Sequence, residues 1–199
     1  MEKKEKVREL QSLNRECARM YYRVRARVGR EIERRIQSVL RDKNDIAGYF
    51  FDGEHSAVRE KIAEQAIRLT ITYLKLINNY HLRLREQEEM NYSQVMERIN
   101  INRRKLGFVS DPMIAKDIQR SIDIDEKLLK RVKDERGELE KIAAKLNCIE
   151  GTLDLLKSQI LSDSESNIAV EDAEEILNEA TALDIVLEER NRDRQRMRL

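Results

Sequence analysis

Glycine occurs six times in 199 residues, proline once and tryptophan not at all, and aromatic residues make up only 5% of the chain. Such scarcity of chain breakers leaves little room for the turns of a many-stranded sheet, and the lack of large rings argues against a compact sheet-rich enzyme. Histidine occurs twice, as His55 and His81, and no Glu-x-x-His pair exists to build a two-metal carboxylate site inside a helical bundle. Asp52-x-x-His55 falls at a turn, and His81 lies beside an apolar helical stripe where a packing role accounts for it. Walker loops, Rossmann glycine runs and Cys-x-x-Cys pairs are absent. The two cysteines, Cys17 and Cys148, are far apart and each sits at an apolar helical position, which predicts reduced core thiols of a cytosolic protein. No run approaches the roughly 20 apolar residues of a membrane span, and "MEKKEKVREL" has no apolar signal region. These absences leave no expected catalytic group, metal or cofactor. They predict a non-enzymatic protein that is cytoplasmic, or peripheral to the inner face of a membrane.

Charge fills the space that breakers leave. Charged residues are 39% of the chain and nearly cancel, to a net +1. The balance hides a gradient: residues 1–50 carry 14 basic and 8 acidic side chains, a balance of +6, whereas residues 163–199 carry 5 and 11, a balance of −6. Abundant Glu, Lys, Arg, Leu and Ile without breakers is the composition of long helices.

Hydrophobic spacing turns that composition into elements. "YYRVRARVGREIERRI" alternates apolar residues and arginine over a few positions, as a half-buried strand would. The longer pattern decides otherwise: Val7, Leu10, Cys17, Tyr21, Val24 and Val28 recur at three and four, and Ile32, Ile36 and Val39 continue after a small shift in phase. The spacing predicts a first helix over about residues 3–46, roughly 65 Å long at 1.5 Å per residue. "NDIAGYFFDGEHS" reads as a turn, with Gly48 and Gly53 as breakers and Asp52 or Ser56 as the next cap. A second helix, 56–106, carries two stripes, one through Ile62, Ala66 and Leu69 and the other through Ala63, Ile67 and Ile71, an arc wide enough for two neighbours. "KLGFVSDP" punctuates sharply. Gly107 suits a left-handed cap, Ser110 or Asp111 an N-cap, and Pro112 the first position of a third helix, 112–161. Leu139, Ile142, Leu146, Ile149, Leu153, Leu156 and Ile160 give that helix a heptad seam. "SDSESN" (162–167) reads as a linker, 168–190 as a shorter acidic amphipathic helix, and 191–199 as a frayed basic tail. The expected fold is all-α: residues 1–161 form an elongated antiparallel bundle or coiled coil of three long helices, with the fourth helix tethered beside it.

Three features could carry function. On an unbroken helix Arg19, Arg23, Arg27, Arg30, Arg34 and Arg41 fall within about 40° of one line, at 3.6 residues per turn. That face is a rail for an anionic partner, or else a solvated surface balanced by acids of a neighbouring helix. Tyr49, Phe50 and Phe51 stand at the expected turn, where they either fold back to plug the bundle or form an exposed anchor. The fourth helix aligns Ala169, Ala173, Ile176, Ala180, Leu183 and Leu187, with Glu171, Glu174, Glu175 and Glu179 mostly opposite. A short helix is marginal alone, so Ile176, Ala180, Leu183 and Leu187 need a docking surface, while the acids could latch onto the arginines.

A long basic first helix, a hairpin into a second long helix, and "VEDAEEILNEA" (170–180) behind a linker together resemble the ESCRT-III and phage-shock-protein-A superfamily. The resemblance covers shape and charge order along most of the chain, without a shared invariant motif. It implies cytoplasmic subunits that polymerise on membranes, helix 1 facing lipid and the acidic end holding a soluble form closed. The expected role is a scaffold or adaptor whose partner is itself or another helical protein, with an anionic membrane as alternative. Nucleic acid ranks lower, because base-stacking aromatics and overall basicity are lacking.

Overall fold

A computed structural model describes residues 2–52, 56–89, 91–162 and 168–196. Among these residues there are six α-helices and no strand: α1 (Glu2–Arg25), α2 (Arg30–Asp52), α3 (Ala57–Glu89), α4 (Tyr92–Leu106), α5 (Pro112–Leu161) and α6 (Ile168–Arg196). The chain is all-α, as its composition predicts. Gly53, His55, linker residues 163–167 and tail residues 197–199 lie outside the described residues.

Two of the long helices expected from periodicity are each divided. The first ends at Arg25 and restarts at Arg30, with Arg27 N donating to Val24 O (2.9 Å) and Glu33 N to Gly29 O (3.0 Å) across the break. α2 then returns along α1: Lys43 Nζ donates to Asn14 Oδ1 at 2.6 Å, and Arg25 pairs with Glu33 at 2.7 Å. The phase shift after Val28 marked this turn. Doubling back places Leu10, Cys17 and Val24 of α1 and Ile36, Val39, Ile46 and Phe50 of α2 in one core. The second helix is interrupted before Asn91, whose Oδ1 accepts from Gln94 N (3.3 Å) to cap α4.

Other boundaries follow the sequence. Ser56 Oγ accepts from Arg59 N (3.1 Å) at the start of α3. Asp111 Oδ1 accepts from Met113 N (2.8 Å) and Ile114 N (3.4 Å), with Pro112 opening α5. Gly107 does close α4, but with φ −70° and ψ −13° it is right-handed, and its N–H reaches Arg104 O in a tightened last turn. α6 continues to Arg196, past the expected end at 190, so most of the supposed frayed tail is helical.

The chain divides into two compact units, Met1–His81 with Ile142–Leu199, and Leu82–Lys141. In the first, α3 is the central element. Residues 69–74 of it are all buried, because α1, α2, α5 and α6 contribute to the same core and cover it around its circumference. The two stripes read in the sequence are parts of that surface, which needs more than two neighbours. The α5 seam from Ile142 to Ile160 is buried here as expected. So is α6, through Val170, Ala173, Ala180 and Leu187. The fourth helix therefore belongs to the bundle, and the boundary expected at residue 161 gives way to one inside α3 and one inside α5.

Polar groups lock the helices of this unit in register. Glu150 Oε1 of α5 accepts from Arg35 Nε of α2 (2.5 Å) and from Tyr73 Oη of α3 (2.6 Å), and Arg35 also donates to Asn147 Oδ1. Burial and the bond to Glu150 push the Tyr73 hydroxyl well above its ordinary range, so it remains a neutral donor. Lys157 of α5 pairs with Asp42 (2.8 Å) and Asp45 (2.6 Å) of α2. Asp184 of α6 accepts from Asn79 Nδ2 (3.3 Å) and lies 3.4 Å from Lys75 Nζ.

Burial raises the Asp184 pKa, Lys75 opposes the shift and Glu188 adds to it. A carboxyl whose folded pKa is raised holds its proton more tightly in the native state. Keeping it ionised therefore costs stability above the folded pKa, and that cost fades as pH falls through it. Asp184→Asn should be at least as stable as wild type at neutral pH, with the difference shrinking on mild acidification. Urea midpoints measured across that range check this; a pH-independent difference contradicts it.

The second unit pairs α4 with the first half of α5 in a hairpin. Its core has three buried residues, Val95, Ile99 and Ile122, flanked by half-buried Leu106, Ile118, Leu128 and Leu129. Arg98 clamps Asp125 through two hydrogen bonds (2.6 and 3.3 Å), Asn102 donates to Ser121 (3.2 Å), and Arg83 pairs with Glu138 (2.5 Å).

Candidate functional site

All six arginines of the expected rail are exposed, and none of their side chains has an ion-pair or hydrogen-bond partner among the described residues. Their arrangement differs from a straight line. Arg19 and Arg23 end α1, Arg27 occupies the turn, and Arg30, Arg34 and Arg41 belong to α2. Positions facing away from Cys17 and Val24 on one helix, and from Ile36 and Val39 on the other, form the solvent side of an α1–α2 hairpin. Other arginines of these helices are engaged: Arg25 with Glu33 and Arg35 with Glu150. Tyr22, 66% exposed, stands on the same hairpin with its ring 5.4 Å from that of Tyr21. The result is a dense cationic surface, concentrated at the turn.

Within the chain the acidic latch is not formed. α6 docks through its apolar stripe, with Ala180 and Leu187 buried and Ile176 and Leu183 half-buried against the main core. Its Glu179 pairs with Lys145 of α5, and none of its acids meets the six arginines. Docking is intramolecular, since the apolar residues of α6 join the core that surrounds α3.

The aromatic tip is likewise absorbed. Residues 49–51 lie in the last turn of α2, since Ile46 and Phe50 extend its stripe past Gly48. Phe50 is buried, Phe51 packs against the core with its ring 5.3 Å from that of Phe50, and Tyr49 remains exposed. Two of the three plug the bundle, so no three-ring anchor exists. Cys17 is buried, and burial pushes its thiol up despite nearby Lys43; Cys148 is exposed, contrary to its apolar spacing.

Sequence reasoning missed the second unit. Seven of its large apolar side chains are exposed: Leu82, Tyr92, Ile101, Phe108 (89%), Met113 (74%), Ile114 and Ile124. Tyr92, Met96, Asn100, Ile101 and Arg104 line a shallow groove of about 480 Å³ along α4. "GFVSDPMI" was legible only as punctuation, yet a Phe within a polar turn was itself the signal. Among the described residues no cluster of three His, Cys, Asp or Glu side chains could hold a metal, and no helix is long and apolar enough to cross a membrane.

No family model, curated protein or solved structure matches the chain.

Proposed function

We propose that this protein is a non-enzymatic helical scaffold or adaptor that associates with a second copy of itself, or with another helical protein, along the sides of its α4–α5 hairpin. One observation carries this reading: the apolar cluster between the hairpin's helices holds three buried residues, while Tyr92, Ile101 and Ile124 remain exposed on those helices. Two packed helices leave much of each circumference open, and apolar groups there gain about 25 cal/mol per Å² when covered. The first unit, in this reading, is a closed antiparallel bundle that supplies stability and leaves association to the second.

Sedimentation velocity over a wide concentration range tests the reading. Wild type should self-associate, or bind a helical partner, and Ile101→Glu with Ile124→Glu should abolish the complex while preserving helicity. A strict monomer at high concentration, with partner capture unaffected by those substitutions, overturns it.

The second reading is peripheral association with an anionic membrane at the cytoplasmic face. It is supported by the six exposed, unpartnered arginines, and it is what the resemblance to the ESCRT-III and phage-shock-protein-A superfamily implies. The long first helix behind that resemblance is two helices, which weakens the likeness but leaves the cationic surface. A third role, as a nucleic-acid-binding accessory protein, would give binding with a steep salt dependence.

A further inference from the structure

The closed end of the α4–α5 hairpin brings exposed apolar and exposed basic side chains together. Phe108 is 89% exposed, Met113 74% and Ile114 52%, all within the turn or the first turn of α5. Immediately behind them stand Arg104 and Lys105 at the end of α4, and Lys116 and Arg120 near the start of α5. These four basic side chains are exposed and without ion-pair partners among the described residues. Residues 103–120 hold five basic and two acidic side chains, a local balance of +3. One of the two acids, Asp111, is occupied in capping α5.

We propose that this tip is an anchor for an anionic lipid bilayer, with Phe108, Met113 and Ile114 entering the acyl boundary and Arg104, Lys105, Lys116 and Arg120 meeting the headgroups. The site lies in the unit that lacks the six-arginine surface, and its apolar residues are distinct from Tyr92, Ile101 and Ile124 on the hairpin sides assigned to protein association.

Geometry favours lipid over protein here. The apolar groups project from a convex turn, a shape that a deformable interface accepts without a matching pocket. The basic residues follow within about one to two helical turns, roughly 5–10 Å of axial rise. That offset matches apolar groups buried about 5–10 Å into the headgroup–acyl boundary while the cations remain at headgroup level. The local positive balance is complementary to an anionic surface, where each basic residue strengthens binding about fivefold.

The absence of tryptophan provides the test. Phe108→Trp and, separately, Tyr22→Trp on the α1–α2 hairpin give two single-indole reporters at exposed positions. Each is titrated with phosphatidylserine–phosphatidylcholine vesicles, with pure phosphatidylcholine vesicles and with buffer. The expected result is a blue shift of the Phe108→Trp indole with anionic vesicles, quenching by brominated acyl chains, and reversal at high salt. In the wild-type background Phe108→Asp should leave the thermal melt unchanged, because no burial is lost. It should weaken vesicle co-sedimentation by about tenfold or more, the worth of one buried aromatic side chain.

An unshifted Phe108→Trp indole overturns the proposal. So does an equal response to pure phosphatidylcholine, which would remove any role for the basic rim. A response of the Tyr22→Trp indole alone assigns membrane contact to the arginine surface instead. A shift in buffer that grows with protein concentration means that a second copy covers the tip, which also overturns the lipid anchor.

Discussion

Replacing Ala180 with aspartate should lower the thermal midpoint by roughly 6–20 °C. The basis is about 3–5 kcal/mol for an unpaired charge placed in a core and roughly 2–4 °C per kcal/mol at this chain length. Ala180 is fully buried in the main core of the first unit, on the face of α6 that carries Val170, Ala173 and Leu187. A carboxylate at that position cannot reach solvent without lifting α6 off α3 and α5. Glu179→Ala is the contrast. It breaks the pair with Lys145, but Glu179 is half exposed, so the loss should stay under about 1 kcal/mol. Thermal melts followed by circular dichroism at low and high salt distinguish the two modes of docking. If Glu179→Ala or salt releases α6 while Ala180→Asp is tolerated, the acidic helix is a charge latch after all. A detachable latch would also let the chain lose residues 168–196 and remain folded, whereas the packing here predicts that this truncation exposes α3 and aggregates.

The second large effect centres on Glu150. Truncating it to alanine strips the acceptor from the Tyr73 hydroxyl, which belongs to a fully buried side chain, and from Arg35. The orphaned hydroxyl should cost about 1–3 kcal/mol. The Arg35 pair adds little, since both its side chains are about a third exposed. Tyr73→Phe alone should cost about 1.5–3 kcal/mol, as hydrogen bonds to charged groups do. In the Tyr73→Phe background Glu150→Ala should then be nearly harmless, because no buried donor remains to be orphaned. Denaturant unfolding of the four proteins gives the coupling energy directly. A coupling near zero, with each single change costing its full amount in both backgrounds, would mean that Tyr73 finds another acceptor and that Glu150 does not tie α2, α3 and α5 together.

What could be read in advance follows from how local each feature is. Pro112 and the α5 seam depend on neighbours within a few residues and were legible in advance, and the caps Ser56 and Asp111 were each one of two candidates. The turn at residues 26–29 was legible only as a phase slip, since Gly29 has open space around it and takes no left-handed conformation to announce a reversal. Likewise, Asn91 looked like one polar residue in a polar run until its side chain was seen capping α4. Phe50 and Phe51 looked like a tip because Gly48 and Gly53 flank them, but the continuing Ile46–Phe50 spacing was the stronger signal.

By itself the sequence determined that the chain is helical, where α5 begins and ends, and which stripe of each helix seeks cover, because periodicity and capping act over one or two turns. Tertiary structure alone decided what covers each stripe. It bent the first helix into a hairpin and took α6 into the bundle. It also left the tip at Phe108 and the six arginines in solvent. The physical reason is that the middle of α3, residues 69–74, is buried on every side, and covering it requires elements far apart in the chain, a demand no short window of sequence contains.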